Sequence, residues 1–240
     1  MAKRAALVTG GSSGIGLAIA RVLGEEGHGV TISARGEERL NEAAESLRAD
    51  GIEVESMTAD ALDVDGLKAL VERHRERWGR LDVLVNNAGV GLGGEIAGFP
   101  PKRIDVQLGV NLKSTIVMTG EAMPMLIEAG EEHGGALIVN MASIAGKSGQ
   151  AWLSVYSATK AGVVGFSQAT QNEVGSKGIK VTALCPAFVD TPMTEFAREH
   201  VSQDDMIRPE DVSESVRFLL RTSRACIVPE IVFARPGESL

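Results

Sequence analysis

Tyr156 and Lys160 stand four residues apart in the stretch VYSATKAG, and Tyr156 is the single tyrosine among 240 residues. On a helix that spacing puts the phenol and the ammonium on one face. A free phenol releases its proton near pH ~10 and is a poor base at neutral pH. A neighbouring ammonium favours the phenolate and lowers that pKa, by about 1.36 kcal/mol for each unit. A phenol tuned in this way can pass a proton to or from an oxygen atom. A buried tyrosine beside a lysine that snorkels to solvent has the same spacing, so the rest of the chain must decide between the two.

A second chemical signal lies at Thr9 to Gly16, TGGSSGIG, directly after the apolar run RAALVTG. Gly10, Gly14 and Gly16 let a backbone turn tightly and approach a bound pyrophosphate. The helix that begins there offers free N–H groups and the positive end of its dipole, with Ile15 inside the turn. Ser12 and Ser13 add hydroxyl donors. A plain strand-to-helix turn uses the same residues, and it is the position after the first strand that points to a dinucleotide. The second strand ends Ser33-Ala34-Arg35, without the carboxylate that would bind a ribose 2′-hydroxyl. A guanidinium there suits a 2′-phosphate, so Arg35 favours NADP(H), with NAD(H) as the alternative.

The elements that must hold these groups alternate along the chain. Apolar runs at RAALVTG, HGVTISAR, IEVESMTAD, LDVLVNNAG, GALIVNMAS and IKVTALCPAF read as strands. Amphipathic stretches between them read as helices, including residues 111–130 and the long stretch from Ser154 that carries Tyr156 and Lys160. CIVPEIVFARPG reads as an edge strand, because Pro229 cannot donate to a central ladder. This rhythm predicts an α/β fold. About seven parallel strands form a doubly wound sheet between two helical layers, as one Rossmann-type domain over residues 1–240.

Taken together, the chain resembles the short-chain dehydrogenase/reductase family, in its single-domain branch. The residues that carry the resemblance are TGGSSGIG at 9–16, NNAG at 86–89, Asn111 in VNLKST, Ser143 in NMASIAG, YSATK at 156–160 and CPAFVDTPM at 185–193. They come in family order and span most of the chain. The resemblance implies that Tyr156 exchanges a proton with a carbonyl oxygen while a nicotinamide exchanges hydride with its carbon. Ser143 then stabilises the same oxygen. Lys160 holds the nicotinamide ribose, and Asn111 orders a water that relays protons from Lys160. It also implies that Asp60 meets the adenine, and that Asn87, Ala88 and Gly89 line its ribose. Thr191 and Val189 then meet the carboxamide, and Pro186 shapes the wall beside the ring. Family members commonly pair two helices across a two-fold axis, here 111–130 and 154–176, giving a homodimer or homotetramer.

The chain departs from the family pattern in three places. Ala187 follows Pro186 where glycine is usual. The segment at about 192–207, expected as a substrate lid, is short, with Met193 and Phe196 toward the ligand and Arg198 or His200 as possible carboxylate binders. The ending VPEIVFARPGE is similar to that of NADP-dependent 3-hydroxy acid and serine dehydrogenases. Ala145, Gln150, Trp152 and Phe188 are expected to complete a largely apolar pocket for a small or medium carbonyl compound, a 3-oxoacyl or 3-hydroxy acid included. Other activities remain open: a non-catalytic NADP-binding sensor, or a nucleotide-sugar epimerase or dehydratase, which normally carries a larger C-terminal part.

Composition narrows the partners. A net charge of −8 argues against nucleic acid, and no apolar run is long enough for a bilayer. Cys185 and Cys226 are far apart without a CxxC pair, so free thiols in a reduced, cytoplasmic protein are expected, with no metal site. His28, His74, His133 and His200 sit in polar or glycine-rich surroundings and are expected at the surface.

Overall fold

The protein is described by a computed structural model over residues 4–199 and 201–237. Its seven strands form one parallel sheet: β1 (Ala5–Thr9), β2 (Gly29–Ala34), β3 (Val54–Thr58), β4 (Val83–Asn86), β5 (Ala136–Met141), β6 (Ile179–Pro186) and β7 (Glu230–Phe233). The order across the sheet is β3-β2-β1-β4-β5-β6-β7. Strands β1, β4, β5 and β6 are buried along their whole length, as unbroken apolar runs between two helical layers must be. Alternation splits their side chains. Ala6 and Val8 of β1 face one core cluster, while Leu7 faces the other. The edge position predicted for the last strand holds, and Pro229 stops just short of its ladder.

Helices α1 (Gly14–Glu25), α2 (Glu37–Ala49) and α7 (Pro209–Arg221) cover one face, and α3 (Val64–Trp78), α5 (Ser114–His133) and α6 (Ser154–Val174) the other. Strand order reverses between β1 and β4, so a crevice opens at their carboxyl ends. Among the described residues no helix is long and apolar enough to cross a membrane.

The structure corrects two expectations. The helix read as 111–130 begins earlier: α4 (Pro101–Leu108) runs through a π-helical turn, Gly109–Lys113, into α5. Gly109 looks like a stop in the sequence. It keeps right-handed dihedrals here, and the Leu62 side chain occupies the space a Cβ would take, 2.4 Å away. Second, the three described histidines are not surface groups. His28 and His74 are buried, and His133 is largely covered. His74 Nε2 donates to Arg80 O at 2.9 Å, and Nδ1 lies 2.8 Å from Thr31 Oγ1. Burial holds its pKa down to about 4. His28 Nδ1 donates to Leu23 O, and burial lowers its pKa too. His133 Nε2 lies 2.8 Å from the buried Asp82, which also takes Arg80 and the Ala5 N–H. Backbone carbonyls at Leu23 and Arg80 and the side chains of Thr31 and Asp82 are the partners that make burial tolerable. His200 lies outside the described residues.

Candidate active site

Ser143 stands just past the end of β5 and opens a one-turn 3-10 helix, its hydroxyl accepting the Ala145 N–H at 3.1 Å. That turn presses against α6 at Gly146, where an added Cβ would lie 2.6 Å from the Lys160 backbone. The close approach sets the Ser143 hydroxyl and the Tyr156 phenol on the same cleft wall. Lys160, one turn further along α6, is 3% exposed and donates from Nζ to Met141 O at 2.7 Å. Its nitrogen sits 5.7 Å from the centre of the Tyr156 ring. Burial lowers the Lys160 pKa to about 8. Burial also raises the Tyr156 pKa, and Ser143 offsets this only in part. In this cleft, desolvation of the phenolate is the leading influence on this group.

Asn111 lies in the π-helical turn and is 1% exposed. Its Oδ1 accepts from Val90 N at 2.8 Å, and its Nδ2 donates to Val90 O at 2.9 Å and Thr159 Oγ1 at 3.1 Å. Gly89 sits between Asn111 and Lys160: a Cβ there would be 3.5 Å from Asn111 Oδ1 and 3.6 Å from Lys160 Nζ.

From this cluster a cleft of about 880 Å³ runs along the carboxyl ends of the strands to the glycine turn. Gly10, Ser12, Ser13, Gly14 and Ile15 line it at one end, followed by Arg35 and by Asn87, Ala88 and Gly89. Ser143, Tyr156 and Lys160 line the other end, with Pro186, Val189, Thr191 and Met193 opposite. Gly10 and Gly14 have φ of +66° and +52°, which a side chain would strain. Gly16 lies behind the turn, where a Cβ would stand 2.2 Å from Gly10 O and 2.4 Å from Asn87 Nδ2. Asn87 Nδ2 also donates to Thr9 O and Gly10 O, tying the turn to β4. The N-terminus of α1 has no side-chain cap and no acidic residue in its first turn, so its N–H groups face the cleft free.

The sequence pattern of the family described as short chain dehydrogenase matches residues 4–202. A Streptomyces coelicolor protein provisionally named a ketoacyl reductase is 40% identical over 247 aligned positions, covering 94% of this chain and 93% of that protein. A tryptophan-for-phenylalanine variant of actinorhodin polyketide ketoreductase, solved with NADPH, superposes with a TM-score of 0.88 at 38% identity, covering 97% of each chain. A short chain dehydrogenase from Burkholderia cenocepacia, solved with NADP, gives a TM-score of 0.85 at 30% identity over 96% of each chain. This chain belongs to the short-chain dehydrogenase family. It is an oxidoreductase acting on the CH–OH/C=O pair.

The remaining positions of this short-chain dehydrogenase fall unevenly around the cleft. Asp60 is exposed between Ala59 and Ala61, which line the cleft, and its carboxylate accepts the Leu62 N–H. Ala145 is buried outside the cleft. Gln150 donates from Nε2 to Ser148 O at 3.0 Å, again outside the lining. Phe188, two residues past β6, is not among the lining residues; its ring lies 5.3 Å from the Arg235 guanidinium and its carbonyl accepts the Ile207 N–H. Arg198 is held by Asp190 at 2.6 Å, which also takes Gln203 at 2.6 Å. Thr194 Oγ1 bonds Val189 O and the Thr191 backbone within the segment read as a lid. The Phe196 side chain lies outside the described residues.

Two features went unread in the sequence. Arg39 lines the cleft one turn after Arg35, a spacing visible in the sequence. Among the described residues neither arginine makes an ion pair. The loop Val90–Leu92 also lines the cleft, held by Asn111 at Val90 and by Gln107 Oε1 on the Leu92 N–H at 3.1 Å. Beyond it, Trp152 adopts φ +68°, a left-handed conformation costing a side chain roughly 1–2 kcal/mol.

Proposed function

We propose that the chain is an NADP(H)-dependent oxidoreductase that interconverts a ketone or aldehyde with its alcohol by hydride transfer, with Tyr156 as acid and base. The observation that carries this reading is the Ser143–Tyr156–Lys160 cluster, with Tyr156 half-buried, at one end of a cleft whose other end is an uncapped helix N-terminus. The residues present fit the dinucleotide. Gly10 and Gly14 leave a cradle that a Cβ would fill, and Arg35 and Arg39 line the same end with no carboxylate on them. That pair favours a 2′-phosphate over a free hydroxyl. Structural neighbours solved with NADPH and NADP agree.

Bound in this cleft, the nicotinamide supplies or accepts the hydride. The chain's own part is the proton. Tyr156 gives its hydroxyl proton to the carbonyl oxygen in reduction and takes it back in oxidation. Ser143, placed beside the phenol, donates to that oxygen as charge develops on it. The Lys160 ammonium stabilises the phenolate left behind. The substrate is a small or medium carbonyl compound. The ketoacyl reductase names among the relatives favour a 3-oxoacyl type. The chain works as a homo-oligomer, with α5 and α6 as the pairing helices.

The test is Tyr156→Phe. Turnover is expected to fall by at least about 100-fold with NADPH affinity kept within about twofold. Unchanged turnover would discard the mechanism. NADPH binding without turnover of any carbonyl by the unaltered chain would make it a sensor instead.

A further inference from the structure

Residues 150–153 form a tight turn closed by the Leu153 N–H on Gln150 O at 3.1 Å. Trp152 occupies its third position at φ +68° and is the one described non-glycine residue with positive φ. A turn with that conformation ordinarily carries glycine there. The chain instead places its largest type of side chain in the strained position and leaves it 56% exposed. Neighbouring residues are fitted to keep the ring in place. Gly94 donates its N–H to Trp152 O at 2.8 Å. Gly93 has no side chain, and a Cβ there would lie 1.9 Å from the indole. One face of the ring therefore lies flat on the Gly93 backbone, and solvent meets the other.

The same loop reaches the catalytic residues. A Cβ on Gly91 would be 3.9 Å from the Tyr156 ring, and Leu92 lines the cleft. Two residues of chain span at most about 7 Å, so one modest substrate can touch Tyr156 with its carbonyl and Trp152 with its far end. Met193, also exposed, lines the cleft opposite and adds an apolar, polarisable surface. Strain retained next to a catalytic group is a mark of a functional position.

We propose that Trp152 is a specificity-determining residue whose free indole face stacks on a planar, unsaturated or aromatic part of the substrate, separated from the reacting carbonyl by a short chain. The substrate class is an aryl-substituted or conjugated ketone rather than a purely aliphatic one. The proposal rests on the carbonyl-reducing reading above and goes beyond it by naming what lies away from the carbonyl. A flat ring gains from stacking on indole, whereas a saturated ring of the same carbon skeleton gains only from burial.

The experiment compares benzylacetone with its cyclohexyl counterpart, using full-length protein and NADPH. Binding is measured on the Tyr156→Phe background and turnover on the unaltered site, each with Trp152, Trp152→Phe, Trp152→Leu and Trp152→Gly. The expected result is tighter binding of benzylacetone by about three- to tenfold, kept in Trp152→Phe and lost in Trp152→Leu and Trp152→Gly through KM rather than kcat. The cyclohexyl ketone should stay within about twofold throughout, and NADPH affinity should not move. Trp152→Gly, which suits the turn, should melt no lower than the parent, so its loss of selectivity is not unfolding. Equal losses on both ketones, or no preference in the parent, overturn the proposal. A change of oligomeric state in Trp152→Leu overturns it as well, since the ring would then be covered by a second copy. Selective binding without turnover keeps the Trp152 assignment and discards the catalytic reading. Neither binding nor turnover discards both.

Discussion

Lys160 is held at a cost, and replacing it with methionine should make the protein more stable while disabling it. Burial lowers the Lys160 pKa from 10.5 to about 8, which at roughly 1.36 kcal/mol per pKa unit is about 3 kcal/mol. A group whose pKa is lower in the folded chain is carried at full cost below the folded value. Here that means the buried ammonium weighs fully against folding below about pH 8, and stability recovers between about pH 8 and 10.5. Methionine fills a similar volume without the charge. Its own cost is the Met141 carbonyl, which loses the Nζ donor at 2.7 Å, worth about 1 kcal/mol. The net expectation for Lys160→Met is a gain of about 2 kcal/mol at neutral pH, or about 5 °C in melting midpoint for a chain of this size. Urea unfolding without added nucleotide, at about pH 7 and about pH 10, reads both the gain and its shrinkage as the pH rises. Lower stability at neutral pH, or a gap that ignores pH, would refute the reasoning.

Further outcomes follow from the same geometry. Arg35→Ala and Arg39→Ala should each weaken NADPH by about tenfold and leave NADH within about twofold in a fluorescence titration; an unmoved NADPH-to-NADH ratio would leave both as surface charges. Gly16→Ala forces a Cβ to within 2.2 Å of Gly10 O, so it should cost about 1–3 kcal/mol and weaken nucleotide at least about tenfold; normal binding would mean the turn yields. His74 is held neutral with its pKa near 4, so it stabilises fully above the ordinary value of 6.5 and this contribution drains as pH falls toward 4. His74→Gln should flatten that acid loss, by up to about 3 kcal/mol, in unfolding curves taken across the interval; parallel curves would count against it.

Most of the cleft was legible because its residues act through backbone needs that leave marks in sequence. Gly10 and Gly14 sit where φ is positive, and Tyr156 and Lys160 share a face at helical spacing. The elements were legible for the same reason, since strands buried on both faces read as unbroken apolar runs. What sequence hid was tertiary. Gly109 continues a helix because Leu62, far away in the chain, fills its side. His74 finds Thr31 on β2 and His133 finds Asp82 across elements, so their polar neighbours misled. Phe188 looks like a pocket residue until Arg235, just past the end of the neighbouring β7, meets its ring. Spacing reveals the Lys160 ammonium beside Tyr156 and not the burial that raises the pKa of the phenol. Arg39 was readable from its spacing to Arg35 and was passed over.

The grip of Asn111 on Val90 has an evolutionary corollary. Asn111 also holds Thr159, three residues from Tyr156 in the catalytic helix, so any change in length between Val90 and Gly94 is felt by the proton-handling residues. The facing wall is different: residues 192–206 are tethered at Thr194 by Val189 and Thr191, and through Arg198 and Gln203 by Asp190. Exchanging that stretch leaves the first wall and the chemistry untouched. Diversification toward new substrates should therefore accumulate on the Asp190 side of the cleft and at the exposed Trp152 ring, while the backbone of the Val90 loop is inherited as a unit with the reaction itself.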